Sequence, residues 1–119
     1  MFDFTAEERV DALRVVTAAI RNCQKMQIKF KSGTPQHSLL RSRIRALQIA
    51  AALLADDGTA ARYTAAELEQ ALPPLESIRC KTAAAQAKYA PDSTQFKRFR
   101  PTIRAMEISI ALVEESLTK

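Results

Sequence analysis

Shifted by 59 positions, the sequence lies over itself, and this register constrains the fold more than any single motif. Phe4-Thr5-Ala6-Glu7-Glu8 falls on Tyr63-Thr64-Ala65-Ala66-Glu67, and Gln27-Ile28-Lys29-Phe30 on Gln86-Ala87-Lys88-Tyr89. The clearest stretch is Ile44-Arg45-Ala46-Leu47-Gln48-Ile49 over Ile103-Arg104-Ala105-Met106-Glu107-Ile108. Without a gap, 16 of 59 pairs are identical, where an alanine-rich composition gives about 5 by chance. A chain of 119 residues is one modest domain. The reading is therefore a single helical domain, residues 1–119, made of two related units, 2–60 and 61–119.

Each unit reads as a helical hairpin. Thr5 with Glu8, and Thr64 with Glu67, have capping-box spacing: the hydroxyl accepts from an orphan amide and the carboxylate reaches back. Leu13, Val16, Ile20, Cys23 and Phe30 then fall on one helix stripe. Ser32-Gly33 ends that helix. Thr34-Pro35 opens the next, where proline at the first helical position loses no hydrogen bond. This second helix carries Leu40, Ile44, Leu47, Ala51 and Leu54 on one face up to Asp56-Asp57-Gly58. In the second unit Pro73-Pro74 is expected to split the first helix into a short one to Leu72 and a new one from Pro74 to about Tyr89, because proline lacks a donor and clashes with the preceding turn. Pro101 is expected to start or kink the last helix, whose stripe is Ile103, Met106, Ile110, Val113 and Leu117. Apolar stripes of this kind bury best against one another. The expected fold is all-α, an antiparallel four-helix bundle of two sequence-related hairpins, the second broken by prolines.

The charge is segregated along the chain. Residues 21–45 hold Arg21, Lys25, Lys29, Lys31, Arg41, Arg43 and Arg45 and no acid. The matching window 80–104 holds Lys81, Lys88, Lys97, Arg98, Arg100 and Arg104 against Asp92 alone. In an up-down-up-down bundle both hairpin loops share one end, so that end is expected to be strongly basic and the end with the termini acidic. The helix dipole accounts for acids at helix starts and bases at helix ends. It leaves Arg41, Arg43, Lys97 and Arg98 unexplained, because they lie near helix starts.

A basic end suits a protein partner or self-association, with a homodimer among the outcomes. It also suits sequence-independent contact with nucleic acid phosphates. Phe96 and Phe99, between Lys97, Arg98 and Arg100, are expected mainly to cap the bundle core; stacking on single-stranded bases is the alternative. The candidate contact residues are Lys29, Lys31, Arg41, Arg45, Lys88, Lys97, Arg98, Arg100 and Arg104. Several are repeated between the units, as Lys29/Lys88, Arg41/Arg100 and Arg45/Arg104. Arg104 with Glu107 also has the spacing of an ordinary helix ion pair.

Catalytic patterns are missing. With one histidine and two cysteines there is no zinc spacing and no Glu-x-x-His di-iron pattern, so no metal or cofactor is expected. His37 lies about four helical turns from Cys23, too far for a nucleophile pair. Glu7-Glu8, Asp56-Asp57 and Glu114-Glu115 are sequence neighbours on exposed positions, unsuited to pKa tuning. Cys23 and Cys80 read as buried free thiols. The first residues lack a basic-plus-apolar leader, and no run approaches the ~20 apolar residues of a membrane span, so a cytoplasmic setting away from membranes is expected. The expected function is a non-enzymatic interaction module using its basic loop end. The alternative is nucleic-acid binding through the same residues, and alanine-rich stretches such as Ala83-Ala84-Ala85 leave room for a ligand pocket.

Overall fold

The computed structural model describes residues 4–56, 58 and 62–118. Within them the chain is helical, with α1 at Ala6–Gln27, α2 at Pro35–Ala55, α3 at Ala65–Gln86, a short α4 at Thr94–Arg98 and α5 at Arg100–Leu117. Both capping boxes form: Thr5 Oγ1 accepts from the Glu8 amide while Glu8 accepts from the Thr5 amide, and Thr64 and Glu67 repeat the arrangement. Thr34 caps α2 with Pro35 behind it, and Ser93 caps α4 in the same way. α2 stops at Asp56, whose φ of 52° turns the chain left-handed, and Gly58 follows at φ 90°. Asp57, read as part of that stop, lies outside the described residues.

α1 and α2 run alongside each other in opposite directions. Arg9 at the start of α1 donates to the Leu53 and Leu54 carbonyls at the end of α2, and Gln27 at the end of α1 donates to the His37 carbonyl near the start of α2. α3 packs on α5, with Gln86 donating to the Phe96 carbonyl at its far end. The two pairs meet through α1 with α5, α2 with α3, and α2 with α5. α2 and α5 are therefore the central helices. They supply most of the buried residues, including Leu47, Ile49, Met106, Ile108 and Val113.

The four long helices pack compactly into one core, but the dimensions are those of a slab, 42 × 40 × 19 Å. Helices of about 22 residues are about 33 Å long. An aligned bundle has one long dimension, whereas this molecule has two, so the helix pairs cross instead of lying parallel as expected. Ala46 and Ala50 on α2, and Ala105 and Ser109 on α5, are fully buried small residues one turn apart. Small faces of this kind let crossing helices approach closely.

Two local expectations are corrected. Pro73 and Pro74 do not break α3, which is continuous over 22 residues. The acceptors they leave without a backbone donor are the carbonyls of Glu69 and Gln70, both exposed residues that water can reach, while Leu68, Ala71 and Leu75 hold the inner face in the core. α1 ends at Gln27 instead of running to Phe30, and Phe30 lies exposed outside the core. Pro101 does sit in the first turn of α5. It has no N–H for the Lys97 carbonyl, and the helix is interrupted at Phe99.

Candidate interaction site

The tip formed by the end of α1, the turn at 28–34 and the start of α2 projects beyond the core. Lys25, Lys29, Lys31 and Arg41 are exposed there, and no acid lies near them in the chain. Gly33 takes φ 92°, a value that favours glycine, and closes the turn. Met26, Ile28, Phe30 and Leu39 are among the exposed large apolar side chains, Ile28 being 85% exposed. The tip is thus apolar as well as basic. Ile28 falls off the buried stripe of α1, which is the signal that marks it as outward-facing, whereas Phe30 falls on that stripe and is exposed because the helix stops short of it.

At the other tip, Lys88, Lys97, Arg98 and Arg100 are exposed together with Asp92. Tyr89 stacks on Phe99 with ring centroids 5.9 Å apart, and the Arg100 guanidinium lies 5.9 Å over the Phe96 ring. Phe96 and Phe99 are half-buried and stay outside the core cluster, so they do not cap it as expected.

The tips do not share one end of the molecule. Phe96, Arg100 and Gln86 line the same cavity as Glu8 and Asp11 at the start of α1. Glu8 and Gln27 are about 28 Å apart along α1 at about 1.5 Å per residue. The second tip therefore packs beside the open end of the first helix pair, and the first tip points away. Lys29, Lys31 and Arg41 form one basic cluster, and Lys88, Lys97, Arg98 and Arg100 another. The single basic end is replaced by two, because the start of α5 lies beside the start of α1.

Arg45 and Arg104, expected as contact residues, are engaged in reciprocal ion pairs between the helix pairs. Arg45 on α2 binds Glu67 at the start of α3, and Arg104 on α5 binds Glu8 at the start of α1 at 2.6 Å. All four residues are related by the 59-residue offset. Arg104 also approaches Glu107 at 3.9 Å, the helix pair expected from spacing. The hydrogen bond from Arg104, then the Thr5 backbone amide, hold the Glu8 carboxyl below its ordinary range. Glu67 is lowered chiefly by the Thr64 backbone amide, with a smaller contribution from Arg45.

Each ion pair borders a groove. The one at Arg45–Glu67 is small, about 80 Å³, and is lined by Ser42, Arg45, Ala46, Ile49, Glu67, Gln70 and Ala71. The one at Arg104–Glu8 contains the counterparts of all of these but Ile49, namely Pro101, Arg104, Ala105, Glu8, Asp11 and Ala12, and opens to about 640 Å³. Its additional walls include Val15, Phe96, Arg100 and Ile103. The interruption at Phe99, beside Pro101, separates α4 from α5 on this side only. Sequence comparison of the units carries the signal for this site, since Asp11 replaces Gln70 and Pro101 replaces Ser42.

Cys23 is half-buried, and burial pushes its thiol up while Arg43 partly opposes the shift. Cys80 is exposed, contrary to expectation, on the outer side of α3. Among the described residues no group of three or more His, Cys, Asp or Glu is arranged to hold a metal ion, and no helix is long and apolar enough to cross a membrane. No family model, curated protein or solved structure matches the chain.

Proposed function

We propose that the chain is a duplicated helical hairpin, residues 2–60 and 61–119, working as a non-enzymatic interaction module that engages an acidic protein surface through the tip of its first hairpin. The duplication is supported by the recurrence of helix starts, caps, ion pairs and the Gln27/Gln86 side-chain hydrogen bonds at one offset. The observation that carries the functional reading is the exposure of Met26, Ile28 and Leu39 among Lys25, Lys29, Lys31 and Arg41. Protein interfaces combine a buried apolar centre with a polar, charge-matched rim. Phosphate neutralisation alone gives no reason to hold Ile28 in water. A cytoplasmic setting belongs to this reading, with both cysteines as free thiols.

The test uses two fluorescent probes of equal charge: a peptide of Asp and Glu interspersed with Leu and Phe, and a single-stranded oligothymidylate. Peptide binding is expected to survive a rise from ~0.05 to ~0.2 M salt and to be lost in Ile28→Asp, whereas phosphate contacts weaken steeply over that range. Equal binding of a peptide without Leu and Phe, or an unaffected Ile28→Asp, overturns the reading.

The second reading, sequence-independent nucleic-acid binding, draws on the other tip. The Tyr89–Phe99 stack and the Arg100–Phe96 contact lie among Lys88, Lys97 and Arg98, a combination that suits base stacking beside phosphate neutralisation. It predicts salt-sensitive oligothymidylate binding that Arg100→Glu with Lys97→Glu abolishes and Ile28→Asp leaves intact.

A further inference from the structure

We propose that the large groove beside the second tip binds a nucleotide whose base carries an exocyclic amine, with the base in the groove and the phosphate on the basic rim. The site is separate from the first tip, and the inference goes beyond the protein contact assigned there.

The two related grooves provide an internal comparison. At their shared positions the open groove differs from the closed one by an apolar ring, Pro101 in place of Ser42, and by a carboxylate, Asp11 in place of Gln70. Its further walls add Phe96, where the first unit has His37, and Glu107, where it has Gln48. The open groove thus holds two additional flat apolar surfaces and two carboxylates, which when ionised only accept hydrogen bonds. Its volume of about 640 Å³ lies within the range of about 300–1,000 Å³ usual for small-molecule sites.

The charges on its walls are of both signs. Arg104 is committed to Glu8 at 2.6 Å, and Glu8 also accepts from the Thr5 amide, so this pair is used within the fold. Asp11 and Glu107 are held more loosely, 3.5 Å from Arg14 and 3.9 Å from Arg104, and both line the groove. Arg100 lies over the Phe96 ring, and the groove adjoins the exposed Lys88, Lys97 and Arg98. Glu107 lies two turns beyond Arg100 along α5, about 10 Å, comparable with the separation between the phosphate of a nucleotide and the far edge of its base.

A simple anion in the groove would meet Asp11 and Glu107, and a simple cation would meet Arg100 and its basic neighbours. A nucleotide suits both. Its phosphate is neutralised at the rim by Arg100, Lys97 and Arg98. Its flat heterocycle stacks on the Arg100–Phe96 pair and covers Pro101 and Val15. Its exocyclic amine donates to Asp11 or Glu107, as the amino group of cytosine donates to carboxylates. The base itself is uncharged and leaves the Arg104–Glu8 pair in place. Uracil and thymine present a carbonyl where cytosine presents its amine, so they lose this contact. A free mononucleotide and one unstacked base of a single strand offer the same chemistry.

The experiment is calorimetric titration of the full chain with AMP, CMP and UMP, and with inorganic phosphate as the probe for the rim alone. AMP and CMP are expected to bind about tenfold or more tightly than UMP, and inorganic phosphate no better than UMP. Asp11→Ala with Glu107→Ala is expected to bring AMP down to the level of UMP. Arg100→Ala is expected to weaken all three nucleotides and to keep their ratio, and circular dichroism checks each variant for native helix content. Oligodeoxyadenylate separates the two sources: a strand site binds it more tightly than AMP, and a mononucleotide site less tightly. Equal affinity for AMP and UMP in the wild type overturns the proposal. So does a ratio unchanged in the double carboxylate variant, or no binding of AMP and oligodeoxyadenylate at ~1 mM. Ile28→Asp, which tests the first tip, is expected to leave AMP binding intact, and oligothymidylate reads the basic cluster without the amine contact, so failure here is distinguishable from failure of either earlier reading.

Discussion

Replacing Leu47 or Met106 by alanine tests whether the two helix pairs share one core. The side chains are 59 positions apart, on α2 and α5, and both are 0% exposed within one cluster. Each truncation removes apolar atoms and leaves a cavity that helices fixed by the surrounding packing close only in part. The expected cost is about 2–5 kcal/mol for either variant. Against a total of about 5–15 kcal/mol, each loss is a large fraction of the stability. With a urea slope of about 1.5 kcal/mol/M, a loss of about 3 kcal/mol moves the midpoint down by about 2 M. Leu39→Ala is the control, because its side chain is half exposed on the outer face of α2 and its loss should stay within about 0.5 kcal/mol. Urea unfolding followed by circular dichroism reads all three, and an unchanged slope shows that stability alone has shifted. A costly Leu47→Ala beside a neutral Met106→Ala would refute the shared core.

Thr5→Ala and Thr64→Ala each remove a capping-box hydroxyl and are expected to cost about 1 kcal/mol, read as a fall in thermal midpoint of several degrees. Pro73→Ala restores a donor for the Glu69 carbonyl at an exposed position inside α3, so it should raise the urea midpoint by the equivalent of about 1–3 kcal/mol. The pH dependence follows from Glu8 and Glu67, whose carboxyls are lowered in the folded chain. A lowered folded pKa stabilises above the unfolded value and loses that contribution as pH falls, so the urea midpoint should drop below about pH 4.3. The Glu8→Gln/Glu67→Gln double variant should show a shallower acid limb, and an identical limb would show that these carboxylates do not set it.

Local rules carry much of the architecture. Both capping boxes, the Thr34-Pro35 start and the stop at Asp56 depend on a few neighbouring residues, and they form where spacing places them. Pro73-Pro74 is where local reasoning fails. The two missing donors are plain in the sequence, but the anchorage of Leu68, Ala71 and Leu75 on the opposite face is a tertiary fact that no window of α3 contains. The crossing of the pairs is illegible for the same reason, since a helical stripe says which face is buried and not at what angle its partner lies. Arg45 and Arg104 are visible as repeated residues, yet their partners Glu67 and Glu8 can be matched only once each helix start is known to reach its counterpart helix.

The separation of the two tips bears on how the chain carries so much like charge. Residues 21–45 hold seven bases without an acid, and residues 80–104 hold six bases and one acid. Gathered at one end, these groups would repel across a Debye length of about 8–10 Å at ordinary ionic strength. Divided between two tips, each group has fewer like charges within that range. Glu8 and Glu67 link the helix pairs through Arg104 and Arg45. The geometry that disperses the charge also lets the two tips differ in character. One exposes Ile28 and Leu39, while the other packs its aromatics together and carries Asp92. Two equivalent tips would present the same surface twice. This chain presents two tips of different character, so they are not interchangeable as contact surfaces.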